Sequence, residues 1–77
     1  MNYIEVSAMG GVAILKKKNI DVVSCHPPMA LAKNLRESKY YHIRIVLKRG
    51  EPLIAFYQTE EKMMEEYQNI FNKLFNN

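Results

Sequence analysis

Residues 41–75 read YHIRIVLKRGEPLIAFYQTEEKMMEEYQNIFNKLF. In the first part of this stretch, apolar positions alternate with mostly polar ones: Tyr41, Ile43, Ile45 and Leu47 against His42, Arg44, Val46 and Lys48. A period of two predicts a strand with one buried side and one solvent-facing side. Gly50 and Pro52 mark a turn, and the run from Leu53 to Tyr57 predicts the return strand of an antiparallel pair.

A helix is predicted directly after this pair of strands. Thr59 suits the N-cap position, because its hydroxyl can accept from the first free amides of a helix. Glu60 and Glu61 suit the positive end of the helix dipole. Apolar residues then recur at helical spacing: Met63, Tyr67, Ile70, Phe71 and Leu74. The pattern predicts an amphipathic helix of about 16 residues whose apolar side lies on the sheet.

Three shorter strands are predicted in the N-terminal third of the chain. The first spans residues 2–7, the second spans residues 12–15, and the third begins at Ile20 and ends near residue 24. The pair Gly10-Gly11 predicts a hairpin turn between the first two strands. The polar run over residues 16–19 predicts a turn before the third.

Residues 25–39 form the least regular segment. Pro27 and Pro28 end the third strand, because proline donates no ladder hydrogen bond. The segment favours one or two helical turns within residues 28–36, with Pro28 at the first helical position, and a long loop is the alternative. Together the elements predict a single domain over residues 1–77 of the α+β class. Its antiparallel β-sheet has about five strands and is packed by one C-terminal amphipathic α-helix.

The chain has 77 residues and one cysteine, Cys25. A single cysteine forms no internal disulfide, which favours the cytoplasm over a secreted location. No run approaches the roughly 18 apolar residues of a transmembrane helix. A chain below roughly 80 residues builds a small core, and self-association is one common remedy. The sequence therefore leaves both a monomer and a homodimer open.

Charge is unevenly distributed along the chain. Residues 16–49 carry nine basic and two acidic side chains, whereas the remainder carries two basic and six acidic ones. The middle of the chain is therefore strongly basic, and the C-terminal helix is acidic.

The sequence contains no pattern typical of an enzyme. Cys25 and His26 are adjacent, but neighbours on a strand point to opposite faces and do not readily form a nucleophile–base pair. No Asp or Glu is evidently placed to orient His26 or His42. The cysteine and histidines lack the spacing of a structural zinc site, and the glycines match no phosphate-binding motif. We therefore expect no enzymatic activity, no metal and no cofactor.

The basic middle of the chain is the one feature that suggests a binding surface. Strand parity places Tyr40, His42, Arg44 and Lys48 on one solvent-facing side. Proteins that bind single strands without sequence preference use lysines along the phosphates and aromatic rings against the bases. The candidate binding residues are Lys16, Lys17, Lys18, Arg36, Tyr40, His42, Arg44 and Lys48. A solvated surface, or a surface for an acidic protein partner, explains the same charge.

Two parts of the chain resemble the small pleckstrin-homology-like domains of bacteria and phages. These are the run Leu15-Lys-Lys-Lys-Asn-Ile20 and the strand–Arg49-Gly50–strand–helix ending. The resemblance covers residues 12–75 and implies an antiparallel sheet with one capping helix, used mostly as an interaction module. A full domain of that family has seven strands, whereas five are predicted here. The layout is also similar to the single-stranded-DNA-binding coactivator fold, which implies a dimer paired through its helices.

These observations lead to one main functional hypothesis and one alternative. The main hypothesis is a small non-enzymatic protein-interaction module, of which a phage- or plasmid-type inhibitor of a host protein is one form. The alternative is single-stranded nucleic-acid binding through a basic, tyrosine-containing sheet face. We expect no membrane partner, because the glutamate-rich side of the C-terminal helix would be repelled by anionic lipid.

Overall fold

Five antiparallel strands and a C-terminal helix form the fold, as a computed structural model of residues 2–75 shows. In chain order the elements are β1 (Tyr3–Ala8), β2 (Gly11–Lys16), a 3-10 turn (Lys17–Asn19), β3 (Ile20–His26), α1 (Leu35–Lys39), β4 (Tyr41–Leu47), β5 (Leu53–Tyr57) and α2 (Glu60–Phe75). The predicted α+β class, the antiparallel pairing and the long C-terminal helix are confirmed.

The strands divide between two sheets, although a single sheet was the simplest reading of the sequence. β1 and β2 form a hairpin, and β3, β4 and β5 form a three-stranded sheet in that order. The hairpin turns at Gly10, whose φ of 90° lies in the region that favours glycine. One backbone hydrogen bond joins the hairpin to β5, from the amide of Met9 to the carbonyl of Phe56 at 3.1 Å.

Side chains occupy the edge of β1 that faces away from β2. The Ser7 amide donates to the Glu66 carboxylate at 2.8 Å, and the Tyr57 hydroxyl donates to the Ser7 carbonyl at 2.6 Å. Lys73 donates to the Glu5 carbonyl at 3.1 Å. These groups pair three polar backbone atoms of β1 along this edge, the Ser7 amide and the carbonyls of Ser7 and Glu5.

The core lies between the two sheets and α2. Its fully buried apolar residues are Ile4, Val6, Ile43, Ile45, Ala55, Tyr57, Met63 and Ile70. The alternation along β4 therefore predicted the buried side correctly for Ile43 and Ile45. The helical stripe is buried only in part, because Met63 and Ile70 reach the core while Phe71 stays 48% exposed.

The start of α2 follows the predicted capping. The amide of Lys62 donates to the Thr59 hydroxyl at 3.2 Å, and Glu60 and Glu61 occupy the first turn. Both features stabilise the N-terminal end of a helix.

The short helix lies further along the chain than the predicted range of 28–36. α1 spans Leu35–Lys39, and Pro28 belongs to the irregular segment that precedes it. The helix starts where it does because the side chain of Asn34 accepts from the amide of Arg36 at 2.8 Å and caps it.

Within residues 2–75, no helix combines the length and the apolar character that crossing a membrane requires.

Candidate functional site

Three aromatic side chains form a row across the three-stranded sheet, on the face opposite the core. The strand register places His26 beside His42 and His42 beside Phe56. The imidazole rings of the two histidines are stacked with their centroids 5.1 Å apart, and the Phe56 ring lies 5.9 Å from His42. The neighbouring residues Ile43 and Ala55 point to the core, as strand alternation requires.

The segment from Pro27 to Tyr40, which we call the strap, covers this row. Arg36 of the strap lies over the Phe56 ring, with its guanidinium carbon 5.9 Å from the centroid. The Tyr40 ring meets Phe56 edge-on at 6.5 Å. The strap is also tied to itself, because the Met29 amide donates to the Glu37 carbonyl at 2.8 Å. The outer face of the sheet is therefore not an open surface at this row.

His42 was predicted to face solvent, and this prediction is wrong. The side chain does lie on the face opposite the core, but it is only 1% exposed. The cause is the strap, which the periodicity of β4 does not encode. The imidazole lies 3.9 Å from the Glu37 carboxylate through Nε2 and 3.4 Å from the Tyr40 carbonyl through Nδ1.

Glu37 lies beside the aromatic row, although the sequence analysis did not single it out. The Glu37 carboxylate lies 3.9 Å from His42 and 3.9 Å from Arg44, which is an electrostatic contact and too long for a hydrogen bond. It is 17% exposed and turns inward. Asn34 stands three residues before Glu37, a spacing that predicts the start of a helix but not the contact between Glu37 and His42.

The surroundings of His26 favour its neutral form. Burial lowers the pKa of the imidazole below its usual value, the neighbouring His42 and Arg44 lower it further, and the Glu37 carboxylate opposes them. The Ser24 hydroxyl lies 2.8 Å from Nε2.

Cys25 lies on the other side of β3 from His26. It packs against the core, whereas His26 stacks in the outer row. The prediction that these neighbours point to opposite faces is confirmed.

The outward surface of the strap combines apolar and basic side chains. Leu31 is 98% exposed and Leu35 is 83% exposed, and Met29 is also exposed. The basic residues of the strap are Lys33, Arg36 and Lys39, which are all exposed. Because Glu37 turns inward, every charge that the strap presents to solvent is positive.

The candidate binding residues fall into two separate groups. Arg36, Tyr40, His42 and Arg44 belong to the strap or to the sheet face beneath it. Tyr40 is half-buried, and the Lys39 ammonium lies 5.5 Å from its ring centroid.

The other four residues, Lys16, Lys17, Lys18 and Lys48, lie near Asn19 at the opposite end of β4. Asn19 links the 3-10 turn to the β4–β5 turn through three hydrogen bonds. Its carbonyl accepts from the Lys48 amide at 2.7 Å, and its side chain pairs with the backbone of Arg49 at 3.0 and 3.1 Å. The basic middle of the chain thus forms two patches rather than one.

No group of three or more His, Cys, Asp or Glu side chains among residues 2–75 is arranged to hold a metal ion. The sequence matches no protein family model, and neither the curated proteins nor the solved structures provide a significant match.

Proposed function

We propose that the protein is a small non-enzymatic protein-interaction module that binds an acidic, partly apolar segment of a partner protein. The outward surface of the strap is the binding surface. The resemblance to pleckstrin-homology-like domains fits the same class of function and stays an expectation. Cys25 as a free thiol fits a cytoplasmic protein.

One observation carries this proposal: the strap exposes two leucines among basic groups while its one acid is turned inward. Leu31 and Leu35 are the most exposed of the large apolar side chains within residues 2–75. Covering a leucine contributes about 1.5–3 kcal/mol relative to leaving it in water. Two such anchors beside three cations favour a partner that offers apolar and acidic side chains together.

The strap is also held on the sheet by contacts within the chain itself. Asn34 caps α1, Glu37 contacts His42 and Arg44, and the Met29 amide is bonded to the Glu37 carbonyl. A surface that is ordered beforehand loses less entropy on binding. This anchoring supports a recognition surface rather than a mobile loop.

The alternative, single-stranded nucleic-acid binding, has less support in the geometry. That function requires exposed aromatic rings beside cations. His42 is buried, and Tyr40 packs on Phe56. The lysines near Asn19 remain available for phosphate contacts, so the alternative is a separate arm of the experiment.

Fluorescence anisotropy with synthetic peptides tests the proposal. The probe is a labelled amphipathic peptide of leucine and glutamate, and the matched control peptide has lysine in place of glutamate. We expect micromolar binding of the acidic peptide alone. The double substitution Leu31→Ser with Leu35→Ser should weaken that binding at least about tenfold. Met64→Ser, which removes an exposed apolar side chain from α2, should leave it unchanged.

Several outcomes would contradict the proposal. Equal binding of both peptides, or an unchanged affinity after the two leucine substitutions, would contradict it. A single-stranded oligonucleotide that binds with a steep salt dependence while the acidic peptide does not would favour the alternative. Phosphatidylserine vesicles that bind through Leu31 and Leu35 would replace the protein partner by a lipid surface.

A further inference from the structure

β3 has a free edge. It pairs with β4 on one side, and within residues 2–75 no strand pairs with its other side. Its sequence, IDVVSCH, contains no lysine and no proline, and its one charged residue, Asp21, lies at its start, so most of the strand lacks the residues that usually protect such an edge. The bulge between Ile20 and Val22 affects only the start of the strand. The remaining backbone can accept another strand.

An apolar groove runs beside this edge, between β3 and the C-terminal half of α2. It encloses about 450 Å³ and is lined by Ile20 and Val23 from β3 and by Phe71, Leu74 and Phe75 from α2. The two phenylalanine rings touch with centroids 4.8 Å apart, and Phe75 is 70% exposed. Aromatic side chains left in this position are typical anchors of an interface.

Charge decides what fits in the groove. Among residues 2–75, Asp21 is the one charged residue that lines it. Lys73, which also lies in this half of α2, donates to the Glu5 carbonyl. Two copies can therefore meet here without strong repulsion. The strap is uniformly basic on its outside and the first half of α2 is acidic, so each of those surfaces would repel its own copy.

We infer that a second copy of this chain binds at the groove, with the two β3 strands paired antiparallel and the phenylalanines of each α2 packed against the partner. Antiparallel pairing centred near Val23 keeps the two Asp21 side chains apart. The inference does not depend on the proposed function of the strap, which lies on the other face of the sheet.

Sedimentation equilibrium tests the inference on the full chain from about 1 µM to about 1 mM. We expect the mass to rise with concentration from 9.0 kDa toward twice that value. The double substitution Phe71→Glu with Phe75→Glu should raise the dissociation constant at least about 100-fold. The control is Ile14→Glu, because Ile14 on β2 is as exposed as Phe75. This substitution should leave the dissociation constant unchanged.

Hydrogen exchange on the unaltered chain covers the case in which the double variant fails to fold. Protection of residues 20–26 should increase with protein concentration, while that of residues 11–16 should not. A chain that stays at 9.0 kDa up to 1 mM would overturn the inference. So would a dimer that Ile14→Glu dissociates and the phenylalanine substitutions do not.

Discussion

At the scale of single residues, His26 makes the stability of the fold depend on pH. Its imidazole faces His42 and Arg44 on β4, Glu37 on α1 and the Ser24 hydroxyl on its own strand. Because the folded state lowers its pKa below 6.5, the unfolded chain binds a proton more readily. The contribution to stability is therefore complete above pH 6.5 and is lost as the pH falls through the lowered pKa.

His26→Gln tests this linkage. Glutamine does not titrate and can still hydrogen-bond to Ser24. Urea unfolding at pH 7.5 and pH 5.0 should show a larger loss of free energy of unfolding in the unaltered chain than in the variant. Equal losses in both chains would show that protonation of His26 does not drive the acid sensitivity.

A second prediction at this scale concerns Tyr57 and the stability of the fold at high pH. Burial raises the pKa of its hydroxyl above the usual 10.0, and the neighbouring Glu66 carboxylate raises it further. The folded state thus favours the neutral phenol, and stability should fall as the pH rises above 10. Tyr57→Phe removes the hydrogen bond to Ser7 and should cost about 1 kcal/mol in urea unfolding at pH 7.

An ultraviolet titration of the tyrosines provides the independent check. The variant Tyr57→Phe should lose the ionisation step at the highest pH. If that step persists in the variant, the most perturbed phenol is another tyrosine.

At the scale of elements, the capping of α1 determines whether the strap stays on the sheet. α1 has five residues and contains no buried side chain, so it depends on its cap and on the contacts of Glu37. Asn34→Ala should lower the local stability of α1 by about 1 kcal/mol. It should therefore increase hydrogen exchange mainly over residues 34–40.

Thr59→Ala is the matched control, because it removes the cap of α2. Since α2 carries the core residues Met63 and Ile70, that substitution should lower the free energy of global unfolding. If Asn34→Ala instead accelerates exchange evenly through β4 and β5, the strap unfolds only together with the whole domain.

The same contrast explains what could be predicted from the sequence. β4, β5 and α2 were predictable because period-two alternation, a turn and the Thr59 cap all indicate the same elements. The strap was not, because its position on the sheet depends on the packing of Arg36 and Tyr40 against Phe56, which is distant in sequence. The burial of His42 and the inward turn of Glu37 follow from that tertiary placement, which no local pattern contains.

At the scale of the whole molecule, residues 2–75 form three surfaces that differ in charge. The strap is basic and apolar, the first half of α2 is acidic, and the groove beside β3 is nearly neutral. The strap and α2 lie on opposite faces of the three-stranded sheet. A molecule bound to the strap would therefore leave the groove uncovered, and the two interactions could form together.

The placement of the strap on the face opposite α2 has a consequence for binding strength. A dimer joined through β3 would extend the sheet and present two straps on one side of it. A partner with two acidic segments could then engage both, and its second contact would form at a high effective concentration. Two contacts that are weak one by one would then give tight binding together. Monomeric variants would lose most of this gain in affinity even with an intact strap.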